Sequence, residues 1–150
     1  LLKSTLLTLI SLLPACGAAA PDTFKPEEII ALERTALDRW SLGDPQLFIE
    51  LDAPEVTYFD PFQKQRVDGI EAMKRLMASI KGTFTIPRYE LLNPTVQRHG
   101  EVAVLTFNLV NYLADGKVMN RWNATEVYSR IDGKWRIIHS HWSYTTPERK

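Results

Sequence analysis

Asp60 closes the stretch VTYFDP, residues 56–61, and is an acid standing where a strand has to end. A strand alternates its faces, so Val56, Tyr58 and Asp60 share one side while Thr57 and Phe59 take the other. A carboxylate among apolar side chains is disfavoured in its charged form, which lifts its pKa toward the working range of a general base. The same aspartate can equally accept backbone N–H groups where the strand stops. The sequence leaves both readings open.

His139 and His141 form a second candidate. On a strand, positions two apart share a face, the arrangement two metal ligands need. Glu126 is the candidate third ligand, or a candidate acid alongside His139. Its position depends on the turn at Asp132-Gly133. A two-residue type I′ turn sets Glu126 opposite His139. A three-residue loop with a bulge shifts the register by one, so that Glu126 faces the side of Ile138 and Trp142 and both histidines point away. A hydrogen-bonded structural role for the pair outweighs metal binding, and no metal site or cofactor is expected. The chain has no Gly-rich phosphate loop, no Ser-x-x-Lys and no Gly-x-Ser-x-Gly. The aromatics Trp40, Tyr58, Trp122, Tyr128, Trp135 and Trp142 could line a pocket for a flat or cyclic ligand, although aromatics at such spacings usually fill a core or an interface.

These residues need elements to place them. Pro26-Glu27-Glu28 reads as a helix start, and Ile29, Leu32, Ala36 and Trp40 recur at helical spacing. Gly43 ends that helix, and Asp44-Pro45 starts a short second one to about Leu51. After VTYFDP and Asp68-Gly69, a third helix carries Ile70, Met73, Leu76, Met77 and Ile80 and stops at Gly82. From residue 83 the pattern is strand-like. TFTIPRYELLNPTVQ is interrupted by Pro87 and Pro94 and reads as a bent or edge strand. EVAVLTFNLVNYL is apolar on both faces and reads as central; VMNRWNATEVYSRI and KWRIIHSHWSYT follow, joined by hairpins at Asp115-Gly116 and Asp132-Gly133. Helices followed by a meander predict an α+β fold: a curved antiparallel sheet forming a cone roofed by N-terminal helices, with a pocket at its mouth.

A chain of 150 residues with 45% apolar residues is long enough for one domain with a proper core. Lys plus Arg equals Asp plus Glu, 18 each, and the charges are dispersed, so nucleic acid is not an expected partner. The first twenty residues stand apart. LLKSTLLTLISLLPACGAAAP has an early cation, an apolar run and small residues, the layout of a signal peptide over 1–20, with a tether at 21–26. Export to the periplasm or medium is the expected localisation. LPAC resembles a lipobox, which makes Cys16 the lipidation candidate and a lipid anchor the one expected membrane contact; cleavage within GAAA is the alternative.

The order of elements resembles the nuclear transport factor 2-like (cystatin-like) superfamily. VTYFDP with its following Asp-Gly, LLNPTVQRHGEVAVLTFNLVNYL and RIDGKWRIIHSHWS are similar to SnoaL-like domains and to the association (hub) domain of calcium/calmodulin-dependent protein kinase II. The likeness gives a domain over 27–146 and a tail at 147–150. In the ketosteroid isomerase branch the comparable aspartate is a general base, which the resemblance assigns to Asp60. The tyrosine that branch supplies from the first helix falls on Ala36 here, so the partner for an oxyanion is missing. The hub's pocket arginines fall on Asn108, Glu126 and Trp142, so a carboxylate ligand of that kind is not expected; Arg121 reads as an exposed strand residue. The resemblance thus implies a small-molecule pocket touching Trp40, Tyr58, Asn108, Glu126 and Trp142, in an exported homodimer. An isomerase- or cyclase-type enzyme with Asp60 as base, and an assembly module of the hub type, are the rival expectations.

Overall fold

The computed structural model describes residues 24–145. Three helices come first: α1 (Pro26–Ser41), α2 (Gln46–Leu51) and, after two strands, α3 (Ile70–Ile80). Pro26 opens α1 with Glu27 and Glu28 in its first turn, where the helix dipole favours negative charge. At its end Gly43 adopts φ +79° and donates its N–H to the Trp40 carbonyl at 2.8 Å. Asp44 then turns the chain, accepting the Gln46 N–H at 3.1 Å and the Arg39 guanidinium. The cap of α2 thus falls on Pro45, one residue after the position that the pattern suggests, because Pro45 precedes the helix rather than starting it.

The strands are β1 (Asp52–Phe59), β2 (Val67–Asp68), β3 (Arg88–His99), β4 (Val102–Tyr112), β5 (Val118–Ile131) and β6 (Lys134–Tyr144). They form one unclosed six-stranded sheet in the order β2-β1-β6-β5-β4-β3. The Pro87-Pro94 segment is an edge strand, as its prolines demand. β4 is interior but next to that edge, while β6 and β5 are the middle strands. All ladders are antiparallel but one, since β1 lies parallel to β6. That pairing cannot be read from the meander, because α3 and four strands separate the two segments.

The inner face of the sheet packs on the helices. Ile29, Ala36 and Leu37 of α1 and Met73 and Met77 of α3 meet Val56, Leu105, Phe107, Leu109, Tyr128 and Ile137 of the sheet. Irregular registers bend the strands: β3 between Leu92 and Thr95, β1 between Asp52 and Thr57, and β6 at Ile138. Bulges of this kind raise local twist and curvature, and here they turn the sheet into a cup around the helices. The loop after α3 is tied to the end of α1 by Gly82 N–H to the Gly43 carbonyl (2.9 Å) and Ile86 N–H to the Ser41 carbonyl (2.8 Å).

Candidate functional site

Between the helices and the inner face lies a cavity of about 480 Å³, within the range of small-molecule sites. Trp40, Phe48 and Phe84 wall one side, with Trp40 ring centroids 5.9 Å from Phe48 and 4.9 Å from Phe84. Trp122 and Trp142 wall the other, 6.1 Å apart and edge to face. A second hollow of similar volume, between α1 and the start of β3, is an open groove bearing Arg34, Asp38, Arg88 and Glu90 and has no apolar enclosure.

Glu126 stands fully buried on the cavity wall. The Asp132-Gly133 turn has two residues, both at positive φ, and Ile131 pairs with Lys134. A type I′ turn alone would set Glu126 opposite His139. Instead Ile138 is an extra residue in β6, so that Tyr128 pairs with Ile137 but Val127 with His139 and Glu126 with Ser140. The one-residue shift thus comes from within the strand and not from the loop. Thr57 steadies the bulge, with its hydroxyl 3.4 Å from the Ile138 carbonyl and 2.8 Å from His139 Nδ1. Glu126 accepts the Trp142 indole N–H at 2.8 Å and the Ser140 hydroxyl. Burial first, and then the negative neighbours Glu33 and Asp52, push its carboxyl well above the usual range, against those two hydrogen bonds.

His139 and His141 face the other side of the sheet. Their rings pack on Phe59, with centroids 6.0 and 5.7 Å away. Burial, then His141 and Arg66, hold the His139 imidazole below its ordinary value. His139 is therefore not a cavity acid, and Glu126 does not join the histidines as a third ligand. Asn108 also lies on the outer face, donating to Asn123 Oδ1 at 2.8 Å, and is not a pocket residue. Both corrections follow from strand alternation once the register is fixed. Tyr128 and Trp135 leave the lining set as well: Tyr128 is in the core and Trp135 packs edge-on to Phe24 at 5.5 Å. Trp40, Tyr58, Asp60, Trp122, Glu126 and Trp142 do meet at the cavity.

Asp60 takes the structural one of its two expected roles and stands at the cavity rim. Its Oδ1 accepts the N–H groups of Phe62 and Gln63 at 2.7 and 2.9 Å, ending β1 in a turn. Its Oδ2 accepts the Tyr58 hydroxyl at 2.9 Å at the cavity rim. Burial, followed by Asp60 itself, pushes the Tyr58 phenol well above its usual value.

Three buried polar residues were not singled out from the sequence. Asp52, at the junction of α2 and β1, lines the cavity with its Oδ2 buried and unpartnered. Burial and then the Glu33 charge push its carboxyl up to about 8. Asn111 also lines the cavity, and its Oδ1 is buried without a partner. Glu33 of α1 is fully buried, accepts the Tyr128 hydroxyl at 2.8 Å, and is pushed by burial up to about 7. A signal existed for each. Glu33 interrupts the apolar stripe between Ile29 and Leu37, Asp52 sits between Leu51 and Ala53, and Asn111 continues the inner-face series Leu105, Phe107, Leu109.

A family model for the calcium/calmodulin-dependent protein kinase II association domain matches residues 25–146. The chain belongs to that association-domain family. Among solved structures it is similar to a candidate ketosteroid isomerase from Parabacteroides distasonis, with 38% identity, coverage of 87% of this chain and 95% of that one, and a TM-score of 0.74. A nuclear transport factor 2-like protein of unknown function from Pseudomonas putida shares 26% identity over 82% of this chain and 88% of its own, at TM-score 0.72. The association domain of C. elegans calcium/calmodulin-dependent protein kinase II shares the fold, with 23% identity, coverage of 79% and 94%, and TM-score 0.65. Within the association-domain fold, this chain carries acids and aromatics around its hollow, and among the described residues no Lys, Arg or His lines it.

Proposed function

We propose that this association-domain homologue binds a small, largely apolar and cyclic molecule in its hollow, as an exported domain without established chemistry. The observation that carries the reading is a partly open cavity of about 480 Å³ whose walls are mainly aromatic and aliphatic, with a few convergent polar groups. Export rests on the apolar leader that ends near Cys16, the candidate lipid anchor; these residues lie outside the described range. A homodimer through the outer sheet face is supported by Phe59 and Val102, which that face leaves exposed. Purified protein, gently denatured and analysed by mass spectrometry, should release a bound low-molecular-mass compound that a Trp142→Arg variant does not carry. Recovery of the same compounds from both proteins would overturn the reading. Light scattering on the same preparation should give a dimer, whereas a ring would favour the hub-type assembly module.

An enzyme of the isomerase or cyclase type is the second reading. What favours it is the Glu126 carboxyl, raised by burial and facing the same hollow as Asp60, the candidate base.

A further inference from the structure

We infer that the hollow selects an organic ammonium ion: an apolar, ring-bearing body with a protonated primary amine, held by Asp52 and Asn111. The inference rests on the binding reading above and names the ligand class. Two buried oxygens on the cavity wall, Asp52 Oδ2 and Asn111 Oδ1, have no hydrogen-bond partner, although both residues are more than nine-tenths buried. Orphaned buried acceptors are costly, and a ligand that brings donors removes that cost. An ammonium offers three donors and no acceptor, which matches what both oxygens lack once Asp52 is ionised. Trp40, Trp122, Trp142 and Tyr58 line the cavity, and aromatic rings of this kind attract cations. The charged and titratable groups facing Asp52 are Glu33 from α1, Glu126 and Tyr128 from β5, and Tyr58 from β1. All are acidic or neutral, so nothing on the wall repels a cation. An anion would meet the Asp52, Asp60 and Glu126 carboxyls and, among the described residues, no cationic side chain.

The acids need not be ionised beforehand. Asp52, raised to about 8, is protonated at neutral pH but near its midpoint, and a neighbouring positive charge favours its ionised form. Binding of the cation should therefore expel a carboxyl proton to solvent while the ammonium keeps its own.

Isothermal titration at pH 7 with 2-(1-naphthyl)ethylamine, 2-(1-naphthyl)ethanol and 3-(1-naphthyl)propionate tests this. The amine should bind about tenfold or more tightly than the alcohol, the gain expected from one charge-assisted hydrogen bond. The propionate should bind weakest. Heats in phosphate and Tris buffers should differ by the ionisation of up to about one proton released per amine bound. Asp52→Asn should bring the amine and alcohol affinities together, and an amine preference that persists in a folded variant overturns the role of Asp52. Should that variant fail to fold, the wild-type protein at pH 5, farther below the Asp52 midpoint where expelling its proton costs more, should lose most of the same preference. An alcohol that matches or exceeds the amine, with no proton release, overturns the ammonium assignment and leaves the hollow as a binding site. If none of the three binds, both the assignment and the binding reading fail.

Discussion

Asp60 shows how one side chain can serve structure and site together. Its Oδ1 holds two backbone N–H groups and its Oδ2 holds the Tyr58 hydroxyl, so the carboxylate fixes both the turn and the orientation of a cavity ring. Asp60→Ala should cost about 1–2 kcal/mol in urea unfolding, since it strands those donors. Asp60→Asn keeps an oxygen for the two N–H groups and should cost clearly less. Equal losses for the two variants would mean that the turn bonds contribute little. Glu126 has the same double character, with both oxygens satisfied by Ser140 and Trp142 while its charge stays disfavoured by burial. At this scale the sequence disclosed types but not directions. Asp60, Trp40, Tyr58, Glu126 and Trp142 reach the hollow as expected. Asn108 and His139 do not, because each sits one strand position from the inner face; for His139 the single inserted residue Ile138 decides this.

Among the elements, the end of α1 and the loop after α3 form the clamp that holds one cavity wall. Gly43 stands where they cross, at φ +79°, and a methyl group at this position would lie only 2.5 Å from the Phe84 carbonyl oxygen. Gly43→Ala should therefore cost about 1–3 kcal/mol through backbone strain alone, with the clash added to it. It should also shift Phe84, whose ring lies against Trp40. Gly116→Ala is the control: φ is +83° but nothing lies within 4 Å, so only the left-handed strain of about 1–2 kcal/mol applies. Denaturation midpoints of the two variants should differ accordingly. If they coincide, the close approach at Gly43 does not exist in solution. The helices were legible from the sequence because their apolar spacing and glycine stops act locally. The β6 bulge was not legible, because it depends on Thr57 of a strand far away in the chain.

For the whole molecule, three buried carboxyls make stability depend on pH in an unusual direction. Asp52 rises from 3.8 to about 8 and Glu33 from 4.5 to about 7, with Glu126 raised as well. Between about pH 4 and pH 8 the folded state therefore holds protons that the unfolded chain has released. The stabilisation is complete below the unfolded values and is lost as pH climbs through 7 and 8. Each such proton contributes a slope of about 1.4 kcal/mol per pH unit. Asp44, Glu71, Glu90 and Asp115 act in the opposite sense, but their ion pairs are exposed and screened by salt. Melting temperature should fall from pH 5 to pH 8.5, and Asp52→Asn should flatten the fall. A melting temperature that rises over this range would show that these acids are solvated in the folded protein.

The sequence by itself determined the order of elements, the helix ends and the roof-over-cup architecture, because periodicity and turn chemistry are properties of neighbouring residues. It also marked Asp60 and the aromatic walls, which lie on elements whose faces alternate predictably. The tertiary structure alone decided the parallel pairing of β1 with β6, the shift at Ile138, and the meeting of Glu33, Asp52 and Glu126 in one interior. Those outcomes arise from contacts between segments far apart in the chain, where packing outweighs any local preference.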